Sequence, residues 1–214
     1  MESINTIYYH DNSQNKRGVF SRIKRIFVYL KRRRTFIRYD WTDAIIKPIH
    51  LTPSAIEMHE HVLIYYHARI LGVDNYGSST FHPHIIFNKG VSVQQNLHLT
   101  CAESVIIGEN TAIAANVSIT DIHHPYENID VPIEKQELRV KPVIIGADCK
   151  INNNVVVLPG TIIGKHCVIG ANAVVSGVFP DYCVIVGIPA RIVKRYDFGS
   201  KQWKETDKNG DFLF

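Results

Sequence analysis

From Val143 onward an aliphatic residue returns at every sixth position, as Ile145, Ile151, Val157, Ile163, Ile169 and Val175. Two places before each stands another apolar or small residue: Val143, Cys149, Val155, Thr161, Cys167 and Ala173. Gly, Asn, Asp and Pro fill the ends of most hexads, as in VIIGAD-CKINNN-VVVLPG-TIIGKH. A helix repeats every 3.6 residues and a plain strand every 2, and neither accommodates turn formers at this spacing. Short parallel strands wound into a solenoid do. Three hexads make a triangular coil of eighteen residues, which predicts that Cys149 and Cys167 stack in the interior.

The pattern recurs upstream at Val105, Thr111 and Val117 with Ile107, Ile113 and Ile119. Val93 and Leu99 extend it backwards in phase with Val105. Cys101 matches Ile107, and Gln95 breaks the second series. Met58, Ile64 and Ile70 with Ile56, Val62 and Ala68 read as an opening coil, followed by an irregular stretch. Between Thr120 and Val143 the repeat lapses into a segment rich in histidine, proline and mixed charge, DIHHPYENIDVPIEKQELRVKP, too long for a corner. An ordered solenoid that ejects one long loop (about 120–142) points to a site there.

The chain has 214 residues and 45% hydrophobic content, enough for one domain with appended segments. The expected division is a basic helical segment at 1–50, a β-helix at 51–196 and a tail at 197–214 that leaves the repeat as a short helix or extended cap. Ten basic residues fall between Lys16 and Arg38 without an acid. The overall net charge is +4, so the remainder carries −6. Within that arm Phe20, Ile23, Ile26, Phe27 and Leu30 have helical spacing, predicting an amphipathic helix. Such a helix caps the solenoid, binds a partner or lies on an anionic membrane surface. No aromatic platform motif accompanies the charge, which argues against nucleic acid. The four cysteines form no CxxC pair and read as buried thiols. No apolar run is long enough to span a bilayer, and the start lacks a signal-peptide pattern; a cytoplasmic location, peripheral at the inner membrane face if the helix binds lipid, is the expectation.

The hexads, the loop at His124-Pro125 and the terminal run VIVGIPARIVKRY together resemble the maltose, galactoside and polysaccharide O-acetyltransferases of the hexapeptide-repeat superfamily. The resemblance covers roughly residues 55 to 196. It implies a left-handed parallel β-helix, a homotrimer with sites between subunits, and acetyl transfer from acetyl-CoA to a hydroxyl of a sugar or glycan. His124 aligns with that family's catalytic histidine, and adjacent His123 is its competitor. Histidine suits a general base near neutral pH, with an ordinary pKa of about 6.5. Asp121 is a candidate to hold the other ring nitrogen, as are Glu127 and a backbone carbonyl, and it equally suits a turn cap. By the same resemblance the backbone N–H of Asn153 meets the oxyanion. Ala171 and Ser176 meet the pantetheine arm, and Arg191 and Lys194 the phosphates. Gln94, Asn96, His98 and Tyr126 are nominated for the acceptor. Two departures from the family stand out: Lys150 replaces the usual tryptophan, and Gly177 a frequent lysine. An N-acetyltransferase acting on an amino-sugar is the nearest rival. A zinc enzyme resembling β-helix carbonic anhydrases would need His98, His123 and His124 to converge as ligands, and no metal is expected.

Overall fold

The computed structural model describes residues 19–207 and 210–213, apart from the side chains of residues 19–23 and 25. Parallel two- to five-residue strands stack into three faces of a left-handed β-helix. The first face stacks Ile56–Met58, His84–Phe87, Ser104–Ile107, Val143–Ile145, Ile162–Ile163 and Val178–Phe179. The second begins with Ala44–Ile45 and Leu63–Ile64 and runs through Ser92–Val93, Ala112–Ile113, Lys150–Ile151 and Val168–Ile169 to Cys183–Gly187. The third stacks His50–Leu51, Arg69–Gly72, His98–Cys101, Ser118–Thr120, Val156–Val157 and Val174–Val175.

Stacked positions expose a strong asymmetry between corners. From the first face to the second, and from the second to the third, six residues separate equivalent positions in every full turn: Ile86, Ser92, His98; Ile106, Ala112, Ser118; Ile144, Lys150, Val156; Ile162, Val168, Val174. From the third face back to the first the distance varies, from Arg69 to Ile86, His98 to Ile106, Ser118 to Ile144, Val156 to Ile162 and Val174 to Val178. All insertions and deletions of the coil fall at that one corner.

The constant corners have a local cause. Each carries a residue with positive φ: His61, Gly90, Asn110, Asp148, His166 and Tyr182 at one, Lys47, His67, Asn96, Asn116, Asn154 and Asn172 at the other. This backbone region favours glycine and asparagine. At the second corner the asparagines also bond in series, Asn96 Nδ2 donating to Asn116 Oδ1 (2.9 Å), Asn116 to Asn154 (3.1 Å) and Asn154 to Asn172 (3.0 Å).

The interior column is aliphatic and closed to solvent, with Ile64, Ile70, Val93, Leu99, Ile107, Ile145, Ile151 and Ile169 fully buried. Cys149 and Cys167 stack as expected, and Cys183 continues the column. The N–H of Cys167 donates to Cys149 Sγ and that of Cys183 to Cys167 Sγ, each at 3.4 Å. All four cysteines are free thiols.

The phase expected for Val93 and Leu99 is corrected. Val93 stacks on Ile113 and Leu99 on Ile119, because two extra residues widen the variable corner between His98 and Ile106. The inward pairs are Val91 with Val93 and Leu97 with Leu99, and Gln95 is an exposed corner residue rather than a break. The opening coil at 56–70 is present, preceded by another turn containing Ala44–Ile45, so the chain enters the solenoid before residue 51.

Helix α1, Val19–Thr35, leans on that first turn. Tyr29 packs against Tyr39 and Trp41, and Arg32 donates to Tyr39 Oη (2.9 Å) and to the Ile45 carbonyl (3.0 Å). Ile26, Phe27 and Leu30 of the expected apolar face point into solvent; Phe20 and Ile23 lie outside the described side chains. At the other end the tail is extended, not helical. Ala190–Asp197 returns antiparallel along Cys183–Gly187, and Gln202–Glu205 adds a further antiparallel strand, closing the last parallel edge.

Candidate functional site

The variable corner ejects three structures above one another: a hairpin pairing Asn75–Tyr76 with Ser79–Thr80, the two-residue widening at Cys101–Glu103, and the long loop at 121–142. The loop leaves and re-enters as a short antiparallel pair, Ile122 opposite Val140 and His123 opposite Arg139. Its base is closed by the Lys141 N–H donating to the Asp121 carbonyl (2.8 Å).

Asp121 is fully buried, and its carboxylate turns toward the coil before it. The N–H groups of Ala102 (2.9 Å), Glu103 (2.8 Å) and Ser104 (2.9 Å) donate to it, as does Cys101 Sγ (3.3 Å). Three convergent amides satisfy a carboxylate that has no cationic partner among the described residues, and they fix the widened corner. Burial, then the Asp121 charge, pushes the Cys101 thiol pKa up, so it remains a neutral donor. Asp121 therefore ties the loop to the solenoid, and no bond joins it to His124.

His124 lines an open groove of about 370 Å³ along the third face, with His98, Thr100, Ser118, Thr120 and Ile122. Its Nδ1 atom is buried without a hydrogen bond, and the nearest carboxylate oxygen is Glu134 Oε2 at 3.9 Å. The Tyr76 ring meets the imidazole edge-on at 5.6 Å. The Tyr76 hydroxyl donates to the Glu134 carbonyl (2.7 Å) and lies 3.1 Å from Glu134 Oε2. Burial and the Glu134 carboxylate raise the Tyr76 pKa, keeping the hydroxyl protonated. The small hairpin and the long loop thus brace each other around one imidazole, and Glu137 adds bonds to the Ser78 N–H and hydroxyl. Neither Tyr76 nor Glu134 is marked in the sequence by repeat or motif.

His123 points elsewhere, its ring against Tyr126 at 6.0 Å. Glu127 pairs with Arg139. Of the nominated acceptor residues, the structure brings only His98 into the groove with His124. Gln94 is an exposed corner residue, and Asn96 is occupied in the asparagine ladder. Tyr126 is 63% exposed on the loop. His98, His123 and His124 do not converge as ligands, and the described residues contain no group of three or more side chains able to hold a metal.

Ser176 and Arg191 share an open cleft of about 270 Å³ with Gly177, above whose Cα there is open space. Arg191 and Lys194 are exposed on one strand and form no ion pair among the described residues. Asn153 and Ala171 are exposed at corners. The Asn153 side chain accepts from the Ala115 N–H (3.3 Å), and its own backbone N–H has no protein partner among the described residues. Lys150 projects into solvent on the second face. Of the nominated cofactor residues, Ser176 and Arg191 line this cleft, and Lys194, Asn153 and Ala171 lie outside its lining.

Residues 142–177 match the family described as bacterial transferase hexapeptide (six repeats). The chain is 41% identical over 128 residues to the putative lipopolysaccharide biosynthesis O-acetyl transferase WbbJ of Escherichia coli, covering 56% of this chain and 65% of that protein. It therefore spans just under two thirds of that relative's length. It is 28% identical over 164 residues to the galactoside O-acetyltransferase of Escherichia coli, covering 72% and 76%. Among solved structures, the hexapeptide-repeat acetyltransferase VCA0836 of Vibrio cholerae superposes with a TM-score of 0.53 at 21% identity, covering 81% of each chain, which supports the shared fold.

Proposed function

The chain is a hexapeptide-repeat β-helix protein, and from that premise we propose that it transfers an acetyl group from acetyl-CoA to a hydroxyl of a sugar or glycan, with His124 as general base. The observation that carries this reading is the buried, unbonded Nδ1 of His124 beside Glu134, on a groove lined by hydroxyl and imidazole groups. An alcohol attacks a thioester only as its proton is removed. His124 takes that proton as the acceptor oxygen bonds to the thioester carbonyl carbon, and returns it to the sulfur when the carbon–sulfur bond breaks. The Asn153 N–H donates to the oxyanion between those steps. Small closure of the loop lets Nδ1–H donate to Glu134, leaving the other ring nitrogen as the base. Arg191 and Lys194 hold phosphates, and Ala171 and Ser176 flank the pantetheine arm.

The test is thiol release from acetyl-CoA across neutral, amino- and acidic sugars. His124→Ala lowers kcat by about 10²–10⁴-fold with an unchanged unfolding profile, whereas His123→Ala stays near wild type. Wild-type rates in His124→Ala, or acetylation confined to amino groups, would overturn the reading.

We also read the assembly as a homotrimer. The solvent side of the first face stacks Ile144, Ile162 and Val178, at 37%, 40% and 72% exposed, in one apolar column. A β-branched column on an outer sheet surface fits burial against a second copy. Native mass spectrometry should give three copies, and Ile162→Asp a smaller species.

The exposed Ile26, Phe27 and Leu30 of α1 are flanked by Lys24, Lys31, Arg33 and Arg34, while Tyr29 and Arg32 hold the opposite side to the solenoid. That arrangement fits an anionic lipid surface. Co-sedimentation with phosphatidylglycerol vesicles should be lost in Phe27→Asp with the trimer retained; equal binding would remove the membrane reading. Among the described residues no helix is long and apolar enough to cross a membrane.

A further inference from the structure

Arg69 stands on the outer side of the third face, directly stacked on His98. Its Nη1 donates both to His98 Nε2 (3.0 Å) and to Thr100 Oγ1 (3.1 Å). A guanidinium only donates, so His98 Nε2 accepts and the imidazole proton sits on Nδ1. Burial and then the Arg69 charge lower the His98 pKa, which keeps that ring neutral in this role. Thr100 likewise accepts from Arg69 and retains its own proton to donate outward.

The groups left over in this cluster are chiefly donors: the remaining guanidinium N–H groups, the His98 Nδ1–H and the Thr100 hydroxyl, whose oxygen keeps one acceptor lone pair. Arg69 has no carboxylate partner among the described residues. The outward positions of the third face, from His50 and Arg69 through His98, Thr100, Ser118 and Thr120, contain no acid. A half-buried cation with no protein counter-ion is a costly arrangement that an incoming anion relieves. Donors outnumber acceptors in this cluster, and its one cation has no carboxylate partner among the described residues, so an anion satisfies it better than a neutral hydroxyl does. His98 and Thr100 line the same groove as His124.

We propose that Arg69, His98 and Thr100 form an anion-binding subsite, so that the acceptor is an acidic glycan or sugar whose carboxylate or phosphate docks there while its hydroxyl reaches His124. The location of the acceptor rests on the acetyl-transfer reading; the anion subsite does not.

The experiment uses the full chain and charge-matched sugar pairs, glucose against glucuronate and galactose against galacturonate, with glucose 1-phosphate and UDP-glucose as the phosphate source. Binding is followed through the His98 ring resonances, and thiol release from acetyl-CoA is measured in parallel. Acidic sugars should bind at least about tenfold tighter than their neutral partners, the scale of one charge-assisted hydrogen bond. Arg69→Met should remove that ratio and raise the acceptor KM rather than lower kcat, while Arg69→Lys keeps part of it. Tighter binding of the uronates identifies a carboxylate, and of the phosphates a phosphoryl group; either supports the subsite. Arg69-dependent binding without thiol release from any sugar would sustain the subsite and remove the transfer reading. Thiol release without charge preference, a preference that survives Arg69→Met, or no saturable binding of any acidic sugar would overturn the subsite.

Discussion

Two kinds of corner share one coil. At the constant corners every full turn takes six residues, set by a positive-φ residue and, at one of them, an asparagine ladder. At the variable corner the chain adds a hairpin, two residues or a twenty-two-residue loop, and the candidate site lies there. A stacked parallel strand must keep its register or turn its inward side chains out. Length can therefore change only where the excess leaves the stack completely, and concentrating changes at one corner leaves the other ladders intact. The same scaffold is thus rigid on two corners and free to build chemistry on the third.

Four substitutions sharpen that contrast. Ile151→Ala, in the column between the constant corners, should cost about 3 kcal/mol in denaturant unfolding, because the stacked neighbours cannot collapse into the void. Asp121→Ala should cost about 2 kcal/mol by stranding three buried amides. If Asp121 instead oriented His124, kcat would fall in this variant with little change in unfolding midpoint. Glu134→Gln should do the opposite, lowering kcat about tenfold, or about 1.4 kcal/mol in the barrier, with the midpoint held. A normal kcat would remove Glu134 as the positioning group. Asn154→Ala is the mildest at about 1 kcal/mol, the price of a left-handed residue without glycine or asparagine; an equal effect at exposed Gln95 would show that the ladder is not what fixes the corner.

Much of this was legible because it is periodic. Val143 through Val175 fixed the coil length, the inward pairs and the cysteine stack without any appeal to resemblance. The phase around Val93 is not legible in the sequence, because hexads continue in step through Leu99 and Val105 while the coil takes up two extra residues between His98 and Ile106. His98 and His124 were nominated separately, and their meeting in one groove follows from stacking plus the course of the loop. Asn96 looked like a polar recognition residue, yet its φ of 62° and its ladder bond make it a corner. Asp121 looked equally suited to orienting a base and to holding a turn, and its contacts are those of a turn.

The hexad by itself determined that this chain is a β-solenoid, because side-chain burial every sixth residue is a one-dimensional rule that each coil repeats. Only the tertiary structure decided what surrounds His124 and Arg69. Tyr76 lies 48 residues from His124, and Arg69 lies 29 from His98, so those contacts depend on which coils stack and how the ejected segments fold across one another. No local pattern of residues encodes such a contact.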